Sequence, residues 1–191
     1  MRYFLTLSIL LFSLSIHGQQ VEFTINIGSK EIGEITANKE LIQNREVYKV
    51  VSDATFRIIW KYHRTSEMTV IYINDTLESS VSINKMNDDV KELSKFWKDD
   101  NGYKCHHQDK IEMEENPVLF STVKLYFQEP VNVDSVYSET FLEMSYLEDL
   151  GDHQYKLFLP GNRKNTYRYD NGILQEVKVD RTFDILFKKK F

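Results

Sequence analysis

The chain has 191 residues, 41% of them hydrophobic, and its 24 basic and 29 acidic side chains give a formal net charge of −5 at pH 7. Nucleic-acid binding needs a basic face, and the short basic run Lys188–Lys190 does not supply one. A single cysteine, Cys105, excludes an intramolecular disulfide. A chain of this length buries roughly 70% of its surface on folding. We therefore expect a stable fold without a disulfide, metal or cofactor, and no nucleic-acid partner.

The first 18 residues have the pattern of a secretory signal peptide. Arg2 precedes the apolar stretch Tyr3–Ile16, and the small residue Gly18 precedes a polar segment. The stretch is shorter than the ~20 apolar residues that a transmembrane helix needs. We expect cleavage after Gly18, which leaves residues 19–191 as one β-rich domain that does not span a membrane. The predicted location is the periplasm or the extracellular space.

Apolar and polar residues alternate with a period of two along most of the remaining sequence, which predicts β-strands. The first strand runs from Val21 to Ile27, and Gly28-Ser29 turns the chain into the second. Asn171-Gly172 is the strongest hairpin signal, because both residues tolerate the positive φ of a type I′ turn. Further strands are predicted at residues 32–37, 47–51, 56–63, 68–73, 77–83, 103–107, 136–146, 155–159, 166–169, 173–179 and 183–187.

Two segments are less regular. Val90 to Trp97 fits both helical and strand spacing, and the turn residues 99–102 favour a hairpin. Asn116 is a good N-cap and Pro117 suits the first helical position. Apolar residues follow at helical spacing until Pro130 ends the pattern, which predicts one short helix.

These elements predict a mainly β fold built from a single antiparallel sheet. A sheet of roughly ten strands twists and curls. We therefore expect a strongly curved sheet, a half-barrel or open barrel, with the helix on its concave side. A concave apolar interior of this kind is able to hold a greasy ligand.

Four stretches, at residues 53–60, 125–130, 161–163 and 167–172, have the order and spacing of a known family. The most specific is Leu-Tyr-Phe-Gln-Glu-Pro at residues 125–130. The chain resembles a family of secreted Bacteroidota proteins known as domain of unknown function 6134. The resemblance implies an uncharacterised envelope protein of a Gram-negative bacterium, and it transfers no activity, cofactor or catalytic residue.

Aromatic side chains form the first candidate ligand site. Phe56, Trp60 and Tyr62 share one face of the predicted strand at residues 56–63, and Tyr126 and Phe127 belong to the predicted helix. Such residues line an apolar cavity or, as the commoner alternative, pack in a core.

Arg163 completes the candidate ligand-binding set. It lies beside Lys164 in the polar loop 161–165, where two cations in an acidic protein could hold an anionic head group. Ordinary turn chemistry after Pro160 is the alternative interpretation.

Cys105-His106-His107 is the sharpest candidate for metal or nucleophilic chemistry. Alternation along a strand would let Cys105 and His107 share a zinc or copper ion, with further ligands from His63 or His153. A closed zinc site usually has two short-spaced pairs of ligands, and the sequence offers one partial pair. A structural role is therefore favoured, and we assign no metal site.

No catalytic residue is assigned. Glu112, Glu114 and Glu115 could supply an acid and a base, but a solvated acidic cluster at a helix start is the favoured alternative. The sequence has no Gly-x-Ser-x-Gly elbow, His-Glu-x-x-His pair or phosphate-binding glycine loop.

We expect a non-catalytic exported envelope protein that binds a hydrophobic or lipid-like molecule in its curved sheet. The alternative is an interaction or structural module that contacts another envelope protein, and a metal-dependent enzyme is the least favoured hypothesis. Separately, Thr76 and Ser135 each follow an aspartate and precede an aliphatic residue. This short pattern is similar to the one that Bacteroidota use for O-glycosylation, so both are candidate sugar sites.

Overall fold

The computed structural model describes residues 17–57, 60–100, 102–107, 110–114, 116–181 and 184–190. Residues 1–16, most of the predicted signal peptide, lie outside these ranges. Within them the chain forms fourteen strands and one 3₁₀ helix, Thr122–Tyr126. The strands are β1 (His17–Ile27), β2 (Lys30–Ile42), β3 (Arg45–Arg57), β4 (Lys61–Ile73), β5 (Thr76–Met86), β6 (Asp89–Asp99), β7 (Gly102–His107), β8 (Lys110–Glu114), β9 (Ser135–Ser138), β10 (Glu143–Gly151), β11 (Gln154–Leu159), β12 (Arg163–Asp170), β13 (Ile173–Asp180) and β14 (Ile185–Lys189).

All of these strands belong to one antiparallel sheet, in the order β8-β7-β6-β5-β4-β3-β2-β1-β14-β13-β12-β11-β10-β9. Strands β1 to β8 form one meander and strands β9 to β14 form another. The two meanders join where β1 pairs with β14, with Phe23 opposite Lys189 and Ile27 opposite Ile185. No ladder within the described ranges joins β8 to β9, so the sheet stays open. The predicted open, curved antiparallel sheet is confirmed.

Bulges and one glycine allow the sheet to bend. The register between neighbouring strands shifts at five places, and each bulge increases the local twist. The shifts lie between Ile25 and Asn26, Ile71 and Tyr72, Asn84 and Lys85, Asp149 and Gly151, and Arg168 and Tyr169. Gly33, opposite Ala54, has no space for a side chain, because an added Cβ would collide with the backbone oxygen of Asp53.

The core lies on the concave face of the sheet. Along β3, Tyr48 and Val50 are buried while Lys49 is exposed, which is the alternation expected of a sheet with one solvated face. Tyr48 and Tyr72 are fully buried and pack edge to face, with 5.9 Å between ring centroids. Aromatic packing of this kind adds stability beyond the area that it buries.

The helix predicted between residues 117 and 130 is wrong in its extent. Residues 117–120 are extended, because the carbonyl oxygens of Val118 and Phe120 accept hydrogen bonds from the backbone N–H groups of Leu77 (2.8 Å) and Tyr137 (3.0 Å). These strand-type bonds replace the helical ones that apolar spacing alone suggested. Only Thr122–Tyr126 is helical, as a single 3₁₀ element.

Two predicted strands prove to be hairpins. The predicted strand at residues 56–63 turns between β3 and β4, which places Phe56 opposite Tyr62. The segment has no Gly, Pro or Asn to indicate the turn. The predicted strand at residues 136–146 turns between β9 and β10, where Leu142 has a φ of 58°.

The ambiguous segment Val90 to Trp97 lies within β6 and forms a hairpin with β7, as its turn residues predicted.

A buried carboxyl group anchors the 3₁₀ helix to the turn after β9. Glu139 is fully buried, and its carboxyl oxygens accept hydrogen bonds from the hydroxyl of Thr122 and, at 3.1 Å, from the N–H of Val123. Burial raises the pKa of Glu139 above its ordinary value of 4.5. The folded protein therefore binds this proton more tightly than the unfolded chain does, which lowers the free energy of unfolding as pH rises above 4.5.

Glu139→Gln is isosteric with the protonated acid and removes this titration. We expect the variant to gain stability relative to the wild type as pH rises from about 4.5 to 7, because only the wild type must ionise a buried group. Urea unfolding at several pH values measures the difference. Glu143→Gln, at an exposed position of β10, should leave the pH dependence unchanged. An unchanged difference between Glu139→Gln and wild type across this range would contradict the assignment.

Candidate functional site

A cavity of about 540 Å³ lies on the concave side of the sheet. Strands of both meanders contribute to its wall, and so do the 3₁₀ helix and the turn between β9 and β10. The apolar part of the wall is formed mainly by aliphatic side chains at inward positions of the central strands, including Ile25, Ile27, Ile35, Val50, Val179 and Ile185. This arrangement offers an apolar molecule a large contact surface.

Tyr126 and Phe141 form aromatic parts of the same wall. Tyr126, the last residue of the 3₁₀ helix, packs its ring edge against Phe23 with 5.8 Å between centroids. Burial raises the pKa of its hydroxyl above the ordinary value of 10. Phe141 lies in the turn between β9 and β10. The inward 3₁₀ helix and this turn therefore fill part of the concave side and leave the cavity beside them.

Three arginines lie at the solvent opening of the cavity. Arg64, Arg163 and Arg181 are the exposed residues in its described wall, whereas the other wall residues are buried or half-buried. Lys164 on β12 pairs with Asp180 on β13, so Arg163 and Arg181 come from adjacent strand ends. The guanidinium carbon of Arg163 lies 5.1 Å from the centre of the Phe141 ring. The opening is thus cationic, whereas most of the remaining wall is apolar.

The cavity wall also contains two polar side chains that a ligand could contact, Glu92 and Asn165. Glu92 is the acidic residue of the described wall, and its carboxylate accepts a 3.0 Å hydrogen bond from the amide of Asn84. The side-chain oxygen of Asn165 is buried without a hydrogen-bond partner among the described residues. Buried polar atoms usually have a partner, so Asn165 is a fitting acceptor for a ligand hydroxyl.

The structure brings together half of the ligand-binding residues predicted from sequence. Phe56, Tyr126 and Arg163 line the cavity. Tyr62 stacks on Phe56 at 5.7 Å but does not reach the wall, and Trp60 lies in the bend between β3 and β4 with 72% of its surface exposed. Phe127 instead packs against Tyr48, with 5.5 Å between ring centroids.

Arg64 and Arg181 were missed by sequence reasoning. Each stands alone in an unremarkable polar context, and no local pattern links them to Arg163. Their convergence depends on the long-range order of strands, which a single sequence does not reveal.

The candidate metal ligands Cys105, His107, His63 and His153 each contact a different partner. The thiol of Cys105 is buried 3.4 Å from the hydroxyl of Tyr137, and His107 lies 2.9 Å from the hydroxyl of Ser94. His63 pairs with Asp53, and His153 pairs with Glu129. Within the described ranges no three residues of ligating type come together. The side chains of Glu112, Glu114 and Glu115 lie outside the described part.

Comparison with known sequences identifies the family. The profile of the domain of unknown function DUF6134 matches residues 23–189. The chain belongs to this family. No match was found among the curated proteins.

The fold of this DUF6134 chain has a counterpart among solved structures. It is similar to the crystal structure of a beta-barrel-like protein of the domain of unknown function DUF1849 from Brucella abortus, with a TM-score of 0.60 and 7% sequence identity. The match covers 90% of this chain and 95% of the other. At that identity the likeness concerns the fold alone. In the ranges that the structure describes, no helix has the length and hydropathy of a membrane span.

The specific stretch at residues 125–130 has a structural explanation in the DUF6134 fold. Leu125 is fully buried, and Pro130 closes the segment in a buried position. The carboxylate of Glu129 accepts hydrogen bonds of 2.8 Å from the imidazole of His153 and from the hydroxyl of Tyr155. The stretch therefore fixes the 3₁₀ helix to the turn between β10 and β11.

The contact with Glu129 raises the pKa of His153 above its ordinary value of 6.5. The ion pair therefore contributes stability that is complete below pH 6.5 and is lost as pH rises through the raised pKa. We expect His153→Gln to reduce the fall in the free energy of unfolding between about pH 6 and pH 8, measured in urea. Tyr155→Phe removes the other hydrogen-bond donor to Glu129. Because tyrosine does not titrate between about pH 6 and pH 8, this variant should show the same fall in the free energy of unfolding as the wild type. Equal pH dependence in His153→Gln and wild type would refute the role of the pair.

Proposed function

We propose that this protein is a non-catalytic, exported envelope protein that holds a hydrophobic or lipid-like molecule in its curved sheet. The observation that supports the proposal is the cavity of about 540 Å³ with its mainly apolar wall. Small-molecule sites commonly measure about 300–1,000 Å³ and combine apolar walls with a few polar groups. An apolar molecule would gain contacts along both meanders, and it would leave water on entering.

The chemistry of the wall favours binding over catalysis. Serine and threonine side chains reach the cavity, but no histidine belongs to its described wall. These hydroxyls therefore lack the adjacent imidazole that commonly activates them as nucleophiles. The carboxylate of Glu92 is engaged by Asn84.

Export is proposed from the sequence of residues 1–18. Cleavage after Gly18 would remove two residues of β1, which pair with Leu41 and Glu40 on β2. The remaining part of β1, from Gln19 to Ile27, keeps its pairing with β2 and its whole ladder with β14. The mature chain would therefore retain the junction between the two meanders.

An interaction module of the envelope is the second candidate function. Met144 and Tyr146 point outward from β10, with 49% and 59% of their surfaces exposed. Tyr146 stacks on Phe158 of β11 with 5.8 Å between ring centroids. Exposed aromatic and methionine side chains are typical of protein contacts. This surface lies on the opposite face from the cavity, so the two functions can be tested separately.

The glycosylation hypothesis concerns positions at strand starts rather than free loops. Thr76 is the first residue of β5 and Ser135 the first residue of β9, and both are half-buried. The exported protein would carry the sugar at one or both of these partly accessible strand starts.

Filling the cavity should abolish binding of an apolar probe. Ser52 and Ser66 are cross-strand partners in the cavity wall, so replacing both by Phe places two rings in its interior. We expect the affinity for the neutral fluorophore N-phenylnaphthylamine to fall by about tenfold or more, since each 1.4 kcal/mol of lost contact is a factor of ten. Fluorescence titration measures the change.

The matched control carries the same two substitutions on the outer face. Lys49 and Thr69 are exposed cross-strand partners on the same pair of strands. Replacing both by Phe should leave probe affinity unchanged, and thermal unfolding establishes that each variant is folded. Equal affinities of the two folded variants would refute the cavity as the binding site.

A further inference from the structure

We propose that the ligand is a single-chain amphiphile with an anionic head group, a carboxylate or a phosphate, held by Arg64, Arg163 and Arg181 while its chain enters the cavity. The inference rests on the proposed function and adds the chemical class of the ligand. It makes the opening of the cavity, rather than its apolar wall, the source of selectivity.

The position of the three arginines is the first support. They are the solvent-exposed members of the described cavity wall, which places them where the cavity meets solvent. They come from the start of β4, the start of β12 and the residue after β13. Apolar wall residues lie opposite two of them on neighbouring strands, since Arg163 pairs with Leu159 and Arg64 pairs with Ala54. A cationic rim that continues directly into an apolar wall matches the two ends of an anionic amphiphile.

The second support is that no carboxylate of the described residues lies within ion-pair distance of these guanidinium groups. Within the described ranges none of the three forms an ion pair, although Lys39, Lys104, Lys178 and Lys190 each pair with a carboxylate. Arg181 donates a 2.6 Å hydrogen bond to the backbone oxygen of Asp180, and Arg163 lies over the Phe141 ring. The donors that form bidentate bonds to a carboxylate or phosphate therefore remain free at Arg64 and largely free at the other two.

The third support is mutual repulsion. Partial burial, and then the positive charges of Arg163 and Arg64, lower the pKa of Arg181. The three cations thus act on one another in a chain whose net charge is −5. An anion among them would relieve this repulsion, and a neutral ligand would not.

Calorimetry with matched ligands tests the head group. Oleate, oleoyl lysophosphatidate and oleyl alcohol have the same chain and differ in head-group charge, and each is used below the concentration at which it aggregates. We expect both anions to bind about tenfold or more tightly than the alcohol, from the strength of hydrogen bonds between charged groups. Added sodium chloride should weaken binding of the anions more than binding of the alcohol.

Variants then assign the effect to the arginines. Arg163→Gln combined with Arg181→Gln should reduce oleate affinity by about tenfold or more and change oleyl alcohol affinity by less than about twofold. Lys164→Gln removes a neighbouring cation whose ammonium lies over Phe158 rather than in the cavity wall, so it should leave both affinities unchanged. Retained alcohol binding shows that the double variant is folded.

The outcomes separate this inference from the proposed function. Equal binding of oleate and oleyl alcohol, with no effect of the double variant, would overturn the head-group assignment and leave the apolar cavity intact. No binding of any of the three ligands would overturn both. Acetate or inorganic phosphate binding as tightly as the amphiphiles would show an anion site that does not use the cavity, which also overturns the inference.

Discussion

The pairing of β1 with β14 is the interaction on which the rest of the structure depends. Within the described ranges it is the strand pairing that joins the two meanders, and it lies near the centre of the sheet. The cavity wall takes Ile25 and Ile27 from one side of this junction and Ile185 and Phe187 from the other. The cationic opening likewise combines Arg64 of the first meander with two arginines of the second. Both the apolar wall and its charged rim therefore combine residues from the two sides of this junction.

Incomplete filling of the concave side explains why a cavity is present. The segment between β8 and β9 turns inward, where the buried carboxyl of Glu139 holds the 3₁₀ helix and Glu129 ties its exit to the turn after β10. Tyr126 and Phe141 cover part of the inner face from this side. The remaining volume is bounded by aliphatic side chains, which favours an apolar occupant. Polar groups, among them the hydrogen-bonded pair Asn84 and Glu92, are a minority of the described wall.

Much of the fold is predictable from sequence, because period-two alternation and turns such as Asn171-Gly172 are local signals. Local sequence patterns give the wrong secondary structure where tertiary contacts determine the backbone conformation. Residues 117–120 have helical spacing but pair with strand residues, and the hairpin beside Trp60 has no turn residue to reveal it. The cavity was predictable only in part: Phe56, Tyr126 and Arg163 line it, whereas Arg64 and Arg181 reach it through strand order. Trp60, Tyr62 and Phe127 share the aromatic character of wall residues but lie outside the wall.

Native mass spectrometry of the protein purified from its own host tests the central claim most directly. Masses are recorded under native conditions and again after organic extraction, and the extract is analysed separately. A bound mass of lipid size that solvent removes, with an acidic head group in the extract, is the predicted result. A bare polypeptide mass in both measurements would contradict the account and favour the outer surface of β10 and β11 as the functional part of the molecule.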